Sequence, residues 1–303
     1  MARIRLALIG IGKIARDQHL PAIAADPAFE LVAAVSRNAS VEGVANFTDI
    51  DTLIASGVAI EAISIATPPV GRHQIAAKAL AAGWHVMLEK PPGATLAEVR
   101  ALAPGERTLF ASWHSRHAAG VAAARDWLAA RHVTRAHIEW REDIRQWHPG
   151  QEWILAPGGL GVFDPGINAL SIVTAILPKP LRVASASLDF PKGRGAPIAA
   201  TLAMASGDAD VTADFDFLQT GAQSWNITIE TDAGTLMLRD GGARLFIDAI
   251  EQSLPESGEY PGLYRQFAAL IAAGTSDRDL APLELVADSF LIGERREVAA
   301  FTF

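Results

Sequence analysis

Ile4-Arg5-Leu6-Ala7-Leu8-Ile9-Gly10-Ile11-Gly12-Lys13-Ile14-Ala15 is the stretch that decides the fold. A short β-type run ends in two spaced glycines and passes at once into a helical run. In a strand–turn–helix of this kind the first glycine permits the tight turn. The second lets the backbone approach a pyrophosphate, and a small third residue, here Ala15, lets the helix pack close on the strand. Free N–H groups and the helix dipole at Lys13 and Ile14 then favour an anion. Gly10, Gly12, Lys13 and Ile14 are therefore candidate dinucleotide contacts. A glycine turn alone is a weak signal, and the β-strand that follows at Leu31–Val35 strengthens it.

Outward from this stretch, residues 1–118 alternate apolar strands with alanine-rich helices. Strands are predicted at Ile4–Ile9, Leu31–Val35, Ala59–Ile65, His85–Leu88 and Thr108–Ala111. Helices are predicted at Lys13–Ala25, Gly71–Ala82 and Leu96–Leu102. Continuous apolar strands separated by helices imply a doubly wound parallel sheet of the Rossmann type, covered on both faces. Beyond residue 118 the pattern changes. A helix at Val121–Ala130, a strand at Ala136–Trp140 and a helix from Asp164 precede strands in close succession. These lie at Arg182–Phe190, Ile198–Ala205, Val211–Phe217, Trp225–Thr231, Thr235–Leu238 and Ala243–Ile247. Apolar and polar residues alternate in them, which implies one wet face and a large, mainly antiparallel open sheet. Helices at Tyr260–Ala273 and Leu283–Arg296 close the chain. The expected division is a dinucleotide-binding α/β domain over 1–118 and a substrate-binding α+β domain over 119–303, with the closing helices able to pack back on the first.

The ends of the strands carry the chemistry, because in such sheets the ligand crevice lies at their carboxyl ends. The second strand exits into Ser36-Arg37-Asn38, with no carboxylate for a ribose hydroxyl. A hydroxyl and a guanidinium there suit a 2′-phosphate, which points to NADP while leaving NAD open. Ala66-Thr67-Pro68-Pro69 ends the third strand, and Glu89-Lys90-Pro91-Pro92 ends the fourth. Thr67, Pro69, Glu89 and Lys90 join the cofactor candidates, and Lys90 is also a catalytic candidate. A lysine wedged between a strand and two prolines is poorly placed to be an ordinary solvated one. A cis bond at Pro91 would aim it inward.

Asp164 and Asn168, in Phe163-Asp-Pro-Gly-Ile-Asn168, share a helix face at i, i+4 and can hold a sugar hydroxyl. The bland alternative makes Asp164 only a helix N-cap, while Gly159 and Gly161 before it suggest an active-site approach. The run from Arg141 to Trp153 contains Glu142, Trp147 and His148, and Trp113-His114-Ser115-Arg116 adds a second such group. Rings that cover CH faces, beside amides and charges that fix hydroxyls, suit a sugar. Core packing is the competing explanation for each tryptophan. His19, His73, His85, His117, His132 and His137 read as caps or packed side chains. No metal is expected, since no His, Asp and Glu set has ligand spacing.

A net charge of −8 without a basic block argues against nucleic acid or a membrane surface as partner. The absence of cysteine rules out disulfides and thiolate chemistry and fits a reducing cytoplasm, the expected location. The start runs directly into a strand the fold needs, so it does not read as a signal peptide. No apolar stretch suits a transmembrane helix.

These residues resemble the Gfo/Idh/MocA oxidoreductase family along the whole chain. The runs 12–19, 113–116, 147–151 and 161–174 are similar to its aldose 1-dehydrogenase branch. The resemblance implies oxidation of an aldopyranose, D-galactose or L-arabinose, at C1 to a lactone, with hydride transfer to NADP+ or NAD+. It implies roles for Lys90, Asp164 and Asn168 at the C1 hydroxyl, and for His114, Glu142 and His148 around the sugar. Much of the family has a histidine where this chain has Asn168. An amide cannot act as a base, so that role falls to Lys90 or Asp164. Ser36-Arg37 leans to the arabinose enzymes, while the run from Asp240 to Leu245 leans to the galactose enzymes. Two rival functions share the fold: an NAD-dependent glycosidase and a non-enzymatic sugar or dinucleotide sensor. A homodimer through the open sheet is a further expectation.

Overall fold

The computed structural model describes residues 3–256 and 258–303. Its contacts divide the chain into two units, Met1–His114 with Gly258–Leu280 and Ser115–Ser257 with Ala281–Phe303. The helix Glu259–Ala273 thus belongs with the first unit, whereas a simple cut at residue 118 would assign it to the second.

The first unit is a six-stranded sheet. Its strands are β1 (Ile4–Ile9), β2 (Phe29–Val35), β3 (Ala45–Phe47), β4 (Ala62–Ile65), β5 (His85–Leu88) and β6 (Leu109–Ala111), in the order β3-β2-β1-β4-β5-β6. Every pairing is parallel. Strand order reverses between β1 and β4, the switch point at which such sheets bind ligands. Alternate residues face opposite sides. Ala7 and Ile9 join the core beneath the helix Arg72–Ala81, while Leu6 and Leu8 join the core under Glu259–Ala273. On the latter side Phe267 stacks between Phe29 and Phe110, with ring centroids 5.9 and 6.3 Å away.

Several elements of the first unit differ from the sequence reading. The predicted helix Lys13–Ala25 has the expected bounds, but it is not α-helical throughout, because a π-helical turn occupies Ala15–His19 before the α-helix Leu20–Ala25. The strand β3 and the helix Ile50–Ala55 were not anticipated. The predicted strand Ala59–Ile65 is confined to Ala62–Ile65.

The second unit is a nine-stranded sheet of β7 (Val133–Arg141), β8 (Leu181–Pro191), β9 (Ala199–Ser206), β10 (Ala209–Asp216), β11 (Ser224–Thr231), β12 (Gly234–Arg239), β13 (Arg244–Ile247), β14 (Ile250–Glu251) and β15 (Glu294–Val298). Its order is β14-β13-β12-β11-β7-β10-β9-β8-β15. The β7–β10 and β8–β15 pairs are parallel and the others antiparallel. One face buries Ile138 and Trp140 of β7, Val211 and Phe215 of β10, and Ile227 and Ile229 of β11. Gly166 of the helix Phe163–Ile176 lies over Phe215, and a Cβ there would meet the ring at 3.3 Å. The other face is polar: His137 Nδ1 lies 2.9 Å from Thr212 Oγ1, and Arg141 donates to Asp214 at 2.9 Å. The closing helix runs over Ala281–Ile292, not to Arg296, and Glu294–Val298 forms the edge strand β15. No helix of the described residues is long and apolar enough to cross a membrane.

Phe267→Ala would empty the space between two rings. It should destabilise the first unit by about 3–5 kcal/mol, read by urea unfolding followed by circular dichroism. A loss under ~1 kcal/mol would show that this stack does not hold the helix to the sheet.

Candidate functional site

The first unit gathers the candidate dinucleotide residues at its switch point. Gly10 follows β1 with a φ of +92°, in the left-handed region that glycine tolerates. A Cβ there would meet Thr67 N at 2.7 Å and the Ala66 carbonyl carbon at 2.8 Å. Glycine is thus required by the backbone that leaves β4. Gly12 has nothing within 4 Å of its built Cβ, so space is open above it. Ala15 is fully buried. Thr67 Oγ1 is buried without a hydrogen-bond partner among the described residues. A buried orphan hydroxyl is costly unless something completes it. An open glycine turn beside an orphan hydroxyl fits a dinucleotide pyrophosphate.

Lys13 and Ile14 lie exposed in the turn, and Lys13 pairs with Asp17 one helical turn on. Ser36 N donates to Phe47 O at 2.9 Å, which fixes the exit of β2, and the Arg37 side chain is exposed. Pro69 is buried, and its carbonyl accepts from Arg72 N at 3.2 Å.

A second group of candidate residues follows β5. Glu89 is buried, Lys90 is half-buried, and the Lys90–Pro91 peptide is cis. Tyr260 OH donates to Glu89 Oε1 at 2.5 Å, and His19 Nε2 lies 3.7 Å from the same oxygen. Burial opposes ionisation of Glu89, yet His19, His114 and Lys90 together hold its carboxyl far below the usual range. His19 Nδ1 lies 2.8 Å from Tyr264 OH. His114 Nδ1 lies 2.7 Å from Glu259 Oε2, and its ring stacks on Tyr260 at 5.2 Å. Burial disfavours a charged His114, but the Glu259 carboxylate outweighs it and raises the ring's pKa. Tyr260 is pushed well above its ordinary range by burial and by Glu89. His19 is thus a packed side chain with polar partners. His114 joins this first-unit network through Glu259 and Tyr260.

The second unit gathers Glu142, His148 and Asp164. Glu142 follows β7, with its N–H on Asp216 O at 2.9 Å and its carbonyl taking Gln219 N at 3.2 Å. His148 follows the helical turn Ile144–Trp147. Its Nε2 lies 3.4 Å from Glu142 Oε1 and 3.9 Å from Asp164 Oδ2. Glu142 and Asp164 are both buried. Trp225 Nε1 of β11 donates to Glu142 Oε2 at 2.9 Å, so each oxygen of that carboxylate has a neighbour. The Trp147 ring, exposed, meets Trp225 edge-on at 5.3 Å and donates to Gln223 Oε1 at 3.3 Å. Arg141 and Arg145 are engaged by Asp214 and Asp143.

The helix Phe163–Ile176 has Val162, not Asp164, as its N-cap, so the bland explanation for Asp164 fails. Asn168 lies one turn on and is half-buried. The two glycines before the helix serve packing. A Cβ on Gly159 would lie 2.3 Å from Ile154 O, and one on Gly161 would lie 2.1 Å from Pro197 O.

Sequence reasoning did not single out Trp225, Gln223, Tyr260, Tyr264 or Arg72. For Trp225 the strand alternation was visible, but nothing in it signalled a carboxylate partner.

Residues 4–108 match the family model described as oxidoreductase family, NAD-binding Rossmann fold. The chain is 50% identical to galactose 1-dehydrogenase of Pseudomonas fluorescens over 303 residues, 99% of each chain. It is 52% identical to the solved D-galactose-1-dehydrogenase protein from Rhizobium etli, covering 100% of this chain and 99% of that one at a TM-score of 0.96. KijD10, a 3-ketoreductase from Actinomadura kijaniata solved with TDP-benzene and NADP, is 17% identical. Its TM-score of 0.80, over 98% of this chain and 100% of its own, shows the shared fold.

Gly10→Ala would drive a methyl into the backbone of Ala66 and Thr67. Titration with NADPH, followed by its fluorescence, should show affinity reduced by about 10-fold or more, roughly 1.4 kcal/mol. Binding at the parent's strength would mean that this turn does not carry the dinucleotide.

Proposed function

Since the chain belongs to the Gfo/Idh/MocA oxidoreductase family, we propose that it is an aldose 1-dehydrogenase, oxidising D-galactose and L-arabinose at C1 to the lactone with NADP+ or NAD+. The observation that carries the reading is the cluster of His148 with the buried carboxylates Glu142 and Asp164, under an indole N–H, in a chain this similar to galactose 1-dehydrogenases. Carboxylates and an imidazole beside exposed Trp147 suit a ring that presents both hydroxyls and CH faces.

When bound, NAD(P)+ supplies the hydride acceptor. The chain's residues do the rest. Asp164, Asn168 and His148 orient the sugar's hydroxyls, and Glu142, held by Trp225, fixes His148. The C1–H bond breaks with both its electrons, the C1 hydroxyl gives up its proton, and the C1=O bond forms. Lys90 or Asp164 takes that proton. Holding both reactants in one geometry supplies much of the rate.

The expected result in an absorbance assay for NAD(P)H is turnover of D-galactose and L-arabinose at similar efficiency. D-Glucose, which inverts only C4, should be poorer by at least ~10²-fold, because buried polar groups would be left unpaired. Lys90→Ala should lower galactose turnover by about 10²-fold or more. Glucose used as well as galactose would refute the galacto-configured site. Parent-like turnover in Lys90→Ala would remove Lys90 from the chemistry. Sugar turnover without net NAD(P)H would favour the glycosidase reading.

The cofactor reading assigns Ser36 and Arg37 to a 2′-phosphate. Arg37→Ala should raise KM for NADP+ by about 10-fold, the loss of one charge-assisted contact, with little change for NAD+. Equal weakening of both cofactors would mean that Arg37 only shapes the loop or stacks on adenine.

A further inference from the structure

We propose that Arg72 is a positioning residue for hydride transfer, setting the Thr67 and Lys90 loops in one fixed geometry. The inference rests on the role given to Lys90 above. Arg72 opens the helix Arg72–Ala81, and its residue exposure is only 2%. Its guanidinium donates to the backbone carbonyls of Thr67, Glu89 and Pro91. Nε donates to Thr67 O at 3.1 Å, and Nη2 donates to the same oxygen. Nη1 donates to the carbonyls of Glu89 and Pro91.

Those carbonyls are not scattered. Thr67 follows β4, and its orphan hydroxyl lies among the candidate dinucleotide residues. Glu89 and Pro91 flank Lys90 on either side, so one nitrogen holds the backbone before and after the lysine. A single planar group thereby ties the two loops at the carboxyl ends of adjacent strands β4 and β5. A flat fork of donors suits this arrangement. An ammonium, with three donors around one point, cannot reach three carbonyls in the same way. A buried cation needs such partners, so the loops and the guanidinium stabilise one another.

A displacement of about 1 Å in a reacting group costs on the order of 10²-fold in rate. In Arg72→Lys, the kcat with D-galactose should fall by about 10- to 100-fold per folded enzyme, and NADPH should bind several-fold more weakly because Thr67 is released. In Arg72→Ala, added guanidinium or methylguanidinium at millimolar concentration should restore part of both. A merely structural arginine would lower thermal stability while leaving kcat and NADPH affinity of the folded fraction unchanged. Such a result in either variant overturns the proposal, as does a deficit in folded Arg72→Ala that guanidinium leaves untouched. If Arg72→Ala does not fold, Arg72→Lys decides alone: both values within twofold of the parent overturn the proposal. NADPH affinity requires no sugar. A parent that oxidises no aldose would therefore sink the proposed function while leaving the role of Arg72 to be judged by binding alone.

Discussion

A buried carboxylate sets the terms for the first unit. Glu89 sits at the end of an interior strand, nearly out of water, and its ionised form must be met by donors and positive charge. Among the described residues, none close to it in sequence is seen to supply a hydroxyl for the purpose. The hydroxyl comes from Tyr260, 171 residues along the chain. His19, which lies near the same oxygen, is itself held by Tyr264 one helical turn beyond Tyr260. The helix Glu259–Ala273 therefore returns to the first unit with a polar face for Glu89 and an apolar face, including Leu263 and Phe267, for the core around Phe29 and Phe110. The path of the chain, which leaves this unit after His114 and re-enters it at Gly258, follows from that double requirement.

The second unit meets a similar constraint by another route. Its acids are held by short loops at strand ends, and those loops are fixed by backbone closeness. Gly159 and Gly161 let the chain press against Ile154 and Pro197 before the helix Phe163–Ile176 begins. Val162 N donates to Pro197 O at 2.7 Å, so the first turn of that helix, with Asp164 in it, is anchored to the segment leading into β9. On the facing side, Trp225 and the Glu142 N–H bond fix the second carboxylate. His148 is left between two acids whose positions are determined independently of it.

Much of this was legible in the sequence, and the exceptions have physical causes. The glycine turn, the parallel strands and Glu89-Lys90-Pro91-Pro92 were visible because each depends on local residue type. The joining of Glu142, His148 and Asp164 was expected only through family resemblance, since no spacing rule links residues on a strand end, a loop and a helix. Strand β3 is three residues long, too short for alternation to register. Glu294-Arg295-Arg296-Glu297-Val298 reads as helix by intrinsic preference. It forms an exposed edge strand because β8 offers a free edge, an influence that local propensity cannot contain. Arg72 escaped notice for a related reason. A lone arginine at the start of a helix is usually a surface residue, and only the fold brings three carbonyls to it.

Residue 89 is gripped twice. Its carboxylate turns to Tyr260 and His19, while its carbonyl turns to Arg72. A buried anion and a buried cation thus bear on the same short turn, and the next residue is Lys90. Buried charges are a poor means of gaining stability, because desolvation offsets most of the attraction, and apolar side chains of equal volume often serve a core as well. What apolar groups cannot do is fix direction. Dispersion and area burial are indifferent to a rotation of a peptide plane, whereas hydrogen bonds to a planar guanidinium and a tyrosine hydroxyl are not. A polar interior around this one turn therefore makes physical sense where the orientation of a backbone, and of the lysine it carries, matters more than the strength of the packing around it.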